Sequence, residues 1–344
     1  MKPFTLLLTC VGGELSSQVI LSLKQSTRYR VRIVGIDSSP HATARHFVDA
    51  FHVVPAGTAP NYVDAVRDVV RRETVNLLLP TSDEEALALA DDRDAIESLG
   101  CQLACTDAKV IRMLSSKSET YAWLDSRGIA TPEWHVVHTL KDLTARADAM
   151  LAKLGEAVVK PSQTRGGRGA VVIRTDIDGI HPVAGTREIH ADPRSFREQL
   201  LPVYGEHLPA VVMQRLLEPV HDLDMLAWRG RPLRVIPRRR LDSARPNEGH
   251  EIVHRPELIE LGRTLIAGLG LSWLYDCDVM YDSAGTPFVV EINPRPSGSV
   301  AVTAAAGVPI FEDLIALALG QEVDEIEPPF GRIVVPYRAL RAVN

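Results

Sequence analysis

Four oxygen-bearing side chains recur at two-residue spacing late in the chain: Asp276 and Asp278 in YDCDVMY, Glu291 and Asn293 in PFVVEIN. Both segments read as strands, joined by a polar turn containing Gly285. If Asp278 sits opposite Glu291, then Asp276 faces Asn293, Asp282 pairs with Pro287 and the loop is Ser283–Thr286. Side chains alternate along a strand, so all four project from one face. Three carboxylates and an amide crowded together repel and destabilise a sheet. A divalent cation removes the conflict, and this donor set suits Mg²⁺, which takes a few carboxylates completed by water and phosphate. The bland alternative is a solvated acidic face, set against strands that are otherwise apolar and followed directly by Arg295.

The run D-V-M-Y-D-(x)₃-P-F-V-V-E-I-N-P-R-P-S-G-S resembles the metal-binding end of the ATP-grasp superfamily, in its carbamoyl phosphate synthetase-like and biotin carboxylase-like branch. The resemblance implies that Asp278, Glu291 and Asn293 hold magnesium ions on the phosphates of ATP, and that Arg295 meets the transferred phosphoryl group. The family often has Glu at the first position, so Asp278 is a shorter variant.

Such a hairpin needs a scaffold, and the chain before it alternates. FTLLLTC, VRIVGID, FHVV, NLLLP and CQLAC read as strands, separated by helical patterns in ELSSQVILSLKQ, NYVDAVRDVVRRE and DEEALALADDRDAIESLG. Alternation of this kind implies a parallel sheet with helices on both faces, whose ligands bind at the carboxyl ends of the strands. Those ends are Cys10–Glu14, Asp37 and Pro80–Glu85. The turn T-C-V-G-G-E-L, with Asp37 downstream, invites a dinucleotide reading, but it has no G-x-G spacing and no third glycine. In ATP-grasp proteins a similar turn often helps hold the acceptor substrate. T-S-D-E-E-A-L is a helix start capped by Thr81 or Ser82; capping alone could explain Asp83 and Glu84, against a role in contacting substrate.

From Thr106 two helices follow with a break near Ser115, the second ended by Gly128. The pattern S-K-x₆-L-x₃-G-I-x-x-P resembles the family's entry segment and makes Lys117 the candidate contact to the α-phosphate. A smaller α/β unit follows over about 133–212, with strands WHVV and AVVKP flanking a helix in LKDLTARADAMLAKLG. Lys160 ends the second strand and precedes S-Q-T-R-G-G-R-G. Such a glycine-rich loop lets backbone N–H groups close over phosphates; a plain hairpin loop is the alternative. No G-K-[ST] follows, so it is not a Walker loop. It is similar to the family's second lysine and lid loop, Arg165–Gly169, and so places Arg165, Gly166, Gly167 and Gly169 near the nucleotide.

Adenine lies on apolar side chains and takes backbone hydrogen bonds from an extended linker. The family's linker resembles Met213–Glu218 here, which implies Gln214 at the adenine amino group, Leu216 or Leu217 at the ring and Glu218 at the ribose. Asp224, on the next strand, faces either the active centre or solvent. In RPLRVIPRRR, alternation sends Arg238 and Arg240 to one side and Arg239 to the other; one set could reach phosphates or a substrate carboxylate, or the run could be a solvated face. The loop Ser243–His250 shows no structural logic of its own, as specificity loops often do not. A helix in PELIELGRTLIAGLG leads into the hairpin, two helices follow it, and the tail carries a short strand.

A chain of 344 residues, 45% hydrophobic and 24% charged, is expected to form two or three domains. The expected fold is α/β: an N-terminal Rossmann-like, pre-ATP-grasp domain over 1–105, then an ATP-grasp domain over 106–344 with its lid subdomain. A net charge of −6 offers no electrostatic reason for nucleic acid or an anionic membrane as partner. No apolar run approaches the ~18 residues of a membrane helix. Four cysteines without a Cys-x-x-Cys pair fit buried thiols in a reducing cytoplasm. The resemblance implies ATP with Mg²⁺ (Mn²⁺ as a substitute) and small-molecule carboxylate and amine substrates, with a homodimer left open. The expected activity is an ADP-forming carboxylate–amine ligase working through an acyl phosphate. Phosphorylation of bicarbonate or a carbamate, and a nucleotide-binding protein without ligase activity, are the alternatives.

Overall fold

The computed structural model describes residues 3–163, 169–184, 188–337, 340 and 342. Five short strands open the chain: β1 (Phe4–Leu8), β2 (Val31–Asp37), β3 (Ala50–Val53), β4 (Leu77–Leu79) and β5 (Gln102–Leu103). They pair in the order β3-β2-β1-β4-β5, all parallel. Their unbroken apolar runs follow from this, because helices cover both faces. The helices are α1 (Ser16–Lys24), α2 (Tyr62–Glu73), α3 (Asp83–Asp91) and α4 (Arg93–Glu97). The segment DEEALALADDRDAIESLG thus forms two helices where periodicity suggested one, with the polar pair Asp91–Asp92 at the break.

Helices α5 (Ala108–Leu114) and α6 (Lys117–Ser126) cross to the rest of the molecule, with Ser116 capping α6 through a hydrogen bond from the Glu119 N–H. A second sheet holds β6 (Trp134–Val137), β7 (Glu156–Pro161), β8 (Val171–Arg174), β9 (Ile180–Pro182), β10 (Ile189–Ala191) and β11 (Ala210–Met213). It is backed by α7 (Leu140–Leu154), and a single turn, α8 (Pro193–Ser195), follows β10. Sequence reasoning found its first strands and the helix but not β9 and β10, which are three residues each and carry little pattern.

The third sheet runs β16-β15-β12-β13-β14-β17. Its strands are β12 (Leu217–Trp228), β13 (Arg231–Arg240), β14 (His250–Ile252), β15 (Trp273–Tyr281), β16 (Pro287–Asn293) and β17 (Ile333–Val334), every pair antiparallel. Helices α9 (Pro256–Leu269), α10 (Ala301–Ala305) and α11 (Ile310–Ala318) pack on it. One apolar core joins Leu6, Leu8 and Ile20 of the first sheet's layer to Leu226, Leu265 and Leu314 around the third. The carboxyl ends of the parallel strands are thereby brought against the hairpin. No helix among the described residues is long and apolar enough to cross a membrane.

Candidate active site

The hairpin of β15 and β16 pairs Asp278 with Glu291 and Asp276 with Asn293, the register expected from the sequence. Beyond Asp278 the register slips by one, so that Val279 pairs with Val289 and Tyr281 with Pro287. The expected Asp282–Pro287 pair and Ser283–Thr286 loop are therefore corrected to a loop over 282–286. The extra residue is Val290, whose carbonyl accepts a hydrogen bond from the Tyr121 hydroxyl of α6 at 3.2 Å. A bulge of this kind re-aims neighbouring side chains. The Asp282 carboxylate instead ties the loop, accepting from the Ala284 and Thr286 N–H groups.

On the other side of β15, Asp222 pairs with Asp278 and Asp224 with Asp276, so β12 adds two more carboxylates to the same face. The structure thus decides the position of Asp224, which faces the active centre and is fully buried. Arg238 and Arg240 share that face. Arg238 meets Asp224 through Nε–Oδ2 at 2.9 Å and Nη2–Oδ1 at 3.0 Å, and its Nη1 donates to Ser299 Oγ at 2.9 Å. Arg240 donates to both oxygens of Asp222 and, at 2.9 Å, to Asp278 Oδ2. Arg239 points the opposite way, to Glu251. His250 lies on β14 rather than in the loop before it, buried, with Nε2 at 3.0 Å from Asp222 Oδ2. These arginines serve the carboxylate array; neither is a free phosphate contact.

The array is unevenly neutralised. Burial would push Asp222 up, but Arg240, His250 and Arg238 outweigh it and hold its carboxyl well below the ordinary range. Burial pushes Asp278 up to about 6, with Arg240 opposing and Asp222 and Glu291 adding to the rise. Asp276 is pushed well above its ordinary range by burial and by Asp278, Asp222 and Asp224. Asp276 Oδ2 accepts from Asn293 Nδ2 at 2.9 Å; Asp276 Oδ1, 3.9 Å from Arg238 Nη2, and Asp278 Oδ1 are buried without a hydrogen-bond partner among the described residues. Ligand oxygens of Asp222, Asp276 and Asp278 fall within 4.8 Å of one another. Orphaned, crowded carboxylate oxygens are costly unless a cation meets them, and a hard divalent ion fits this donor set.

The candidate lysines approach from the other side. Lys117, the first residue of α6, has its Nζ 3.7 Å from Glu291 Oε1. Lys160, near the end of β7, is held below its ordinary value by burial and by Lys117, against Glu291, Glu188 and Asp278. The two segments are tied by the Lys117 N–H donating to the Ser162 carbonyl at 2.8 Å. Gly169 has φ 72°, and a Cβ there would lie 2.8 Å from Pro161 Cγ, so only glycine fits. Arg165, Gly166 and Gly167 lie outside the described residues. Gln214 and Leu216 lie between β11 and β12, Leu216 buried, whereas Leu217 and Glu218 are exposed and begin β12.

Arg295, just beyond β16, donates from Nη2 to Asn293 Oδ1 at 3.2 Å and sits with Nε 2.9 Å from Asp83 Oδ1 at the start of α3. Ser82, not Thr81, caps that helix. At the first turn, Asp37 accepts from the Gly12 and Ser39 N–H groups, so its carboxylate braces the turn instead of standing open to a ribose. Between this turn and the Pro296–Gly298 segment lies a slot that also reaches Asn247, whose Nδ2 donates to Glu14 Oε2 at 2.9 Å. Sequence reasoning missed Asp222 and His250. One signal was available: D-L-D in β12 repeats the D-C-D spacing of β15.

Comparison with known proteins bears on the fold that carries this site. Residues 206–339 match the family described as ATP-grasp in the biosynthetic pathway with Ter operon, and residues 6–104 match the PylC-like N-terminal domain. The carbamoyl phosphate synthase large chain of Bifidobacterium adolescentis is 25% identical over 326 residues, covering 86% of this chain and 26% of that protein. The chain thus spans about a quarter of the length of the curated relatives it matches. Among solved structures, the biotin carboxylase domain of Hydrogenobacter thermophilus 2-oxoglutarate carboxylase superposes with TM-score 0.69 at 16% identity, covering 96% of this chain and 73% of that one. The L-amino acid ligase of Bacillus licheniformis gives 0.63 at 16%, covering 93% and 75%. The N5-carboxyaminoimidazole ribonucleotide synthetase of Thermotoga maritima gives 0.63 at 14%, covering 96% and 79%. Residues 206–339 thus match an ATP-grasp family, and the chain as a whole has the ATP-grasp fold of these neighbours.

Proposed function

We propose that this protein is an ATP- and Mg²⁺-dependent carboxylate–amine ligase that activates its acid as an acyl phosphate and releases ADP and phosphate. The observation that carries the reading is the placement of Arg295: fixed by Asp83 and Asn293, beside a carboxylate array in which two buried oxygens lack a hydrogen bond among the described residues and to which Lys117 and Lys160 are also electrostatic neighbours. Bound ATP supplies the phosphoryl group, and Mg²⁺ neutralises charge on it. Asp278, Glu291 and Asn293 would hold the metal, with Asp276 within reach. Lys117 and Lys160 would bind phosphate oxygens. Gln214, Leu216, Leu217 and Glu218 would bind the nucleoside. Arg295 would stabilise charge on the phosphoryl in flight, since positioned cations supply most of the catalysis in phosphoryl transfer. The charged groups would act on the phosphates and their metal, and none of the groups named here would carry an acyl group covalently.

A second reading, phosphorylation of bicarbonate, draws support from the likeness to carbamoyl phosphate synthase and biotin carboxylase. One experiment separates the two. With ATP, Mg²⁺, hydroxylamine and a panel of acids, the ligase yields the hydroxamate of one acid together with ADP. ADP release that depends on bicarbonate and on no other acid favours the second reading. AMP and pyrophosphate would overturn both.

A further inference from the structure

The slot beside the first turn has a chemistry of its own. Its volume is about 110 Å³. Leu8, Cys10, Val19, Pro296 and Phe311 are among the residues that line it. Cys10 is no nucleophile here, because burial and the nearby Glu85 and Asp37 carboxylates push its thiol up to about 12. Its polar lining includes Thr81, the buried Ser297 and, toward solvent, the exposed Glu14 paired with Asn247, which bridges the first turn to the loop before β14. Among the described residues that line the slot, Glu14 supplies the one charged side chain, and no Lys or Arg does. Pro296 follows Arg295 directly, and the Arg295 guanidinium, proposed to sit at the phosphoryl group, is close enough to act on the Cys10 thiol that lines the slot.

We infer that this slot receives the hydrocarbon side chain of the carboxylate substrate, making that substrate a small acid with an aliphatic side chain and no second anionic group. The inference rests on the ligase reading for the orientation, with the carboxylate toward Arg295, and on the lining for the chemistry. An apolar cavity of roughly 150 Å³ accommodates a benzene-sized hydrocarbon, so this one suits a branched side chain of a few carbons. A phosphate or second carboxylate entering it would lose its hydration with no cation to meet it, and would approach the Glu14 carboxylate. That sets this chain apart from the ribonucleotide synthetases whose fold it shares. An α-amino group at the mouth, by contrast, would find Glu14, and an amino acid with an aliphatic side chain satisfies every group named.

The test is binding, with and without MgADP, by saturation-transfer NMR and calorimetry. The probes are L-valine, L-leucine and isovalerate against L-glutamate and ribose 5-phosphate. The aliphatic acids should bind at least tenfold more tightly than the anionic pair. Val19→Phe, which fills the slot from α1, should abolish that binding, while retained MgADP affinity reports that the variant is folded. Equal or tighter binding of glutamate or the sugar phosphate overturns the inference, as do unchanged affinities in Val19→Phe or no binding of any aliphatic acid. A hydroxamate formed from a dicarboxylate or phosphorylated acid would leave the ligase reading standing and sink the slot. Aliphatic binding that Val19→Phe abolishes, in a protein that cleaves no ATP, would do the reverse.

Discussion

Arg295 Nε lies 2.9 Å from Asp83 Oδ1, a contact between the end of the β15–β16 hairpin and a helix start in the N-terminal sheet layer, more than two hundred residues earlier. Both side chains are largely shielded from solvent, Asp83 only 5% exposed. The guanidinium is fixed from three sides, by Asp83, by Asn293 and by the Pro296 carbonyl. On the function proposed above, Asp83 would act as a positioning residue, and the N-terminal layer would take part in setting the geometry of phosphoryl transfer.

Asp83→Asn should lower kcat for ATP cleavage by roughly 10–100-fold, the scale of a small misplacement of a catalytic group, with little change in the KM for ATP. Asp83→Glu should recover part of the loss. If Asp83 served only the helix dipole, the variant would instead lose about 0.3–1 kcal/mol of stability and keep its kcat. Steady-state kinetics together with thermal melts distinguish these outcomes.

Glu291→Gln and Asn293→Ala should leave the fold intact, because both positions sit on a strand whose core is formed by Val289 and Ile292. Each should abolish ATP turnover and blunt the increase in nucleotide affinity that Mg²⁺ brings. Calorimetric titration of ATP at low and high Mg²⁺ measures this directly. A wild-type Mg²⁺ response in either variant refutes the metal assignment.

The Arg238–Asp224 pair is fully buried, so removing one partner strands a charge. Asp224→Ala should cost about 3–5 kcal/mol in urea-induced unfolding. Replacing both partners with apolar residues should cost less than the sum of the single changes. Additivity would mean that the pair is not coupled.

His221 is buried on β12 and packs edge-to-face on Tyr281 with ring centroids 5.3 Å apart. Burial, with Arg255 and Arg239 nearby, holds its imidazole below the ordinary value. The unfolded chain therefore takes up this proton at higher pH than the folded one. The contribution is fully present above the unfolded value of about 6.5, and below it stability falls by up to about 1.4 kcal/mol per pH unit until the folded value is reached. His221→Phe keeps the ring contact and removes the proton. Its stability loss between pH 7.5 and 5.5 should be smaller than that of the wild type, measured by chemical denaturation at both values. An identical pH dependence in the two proteins would rule out His221 as the source.

The local pattern of the chain carried the α/β alternation, the hairpin of β15 and β16, and the pairing of Asp278 with Glu291, because two-residue alternation and turn residues are properties of neighbours in sequence. The same local logic sorted Arg238 and Arg240 to one side of β13 and Arg239 to the other. What those arginines meet was not legible there: Asp222 and Asp224 come from β12, and whether an arginine faces water, a phosphate or a carboxylate depends on which strand lies beside it. The slip at Val290 was equally hidden, since its carbonyl is claimed by Tyr121 from α6, far away in the chain. Asp83 read as part of a helix start, and it is one; only the packing of the parallel strands' carboxyl ends against the hairpin gives it Arg295 as a partner. Charge pairing is decided by distance in space, and the sequence records distance along the chain.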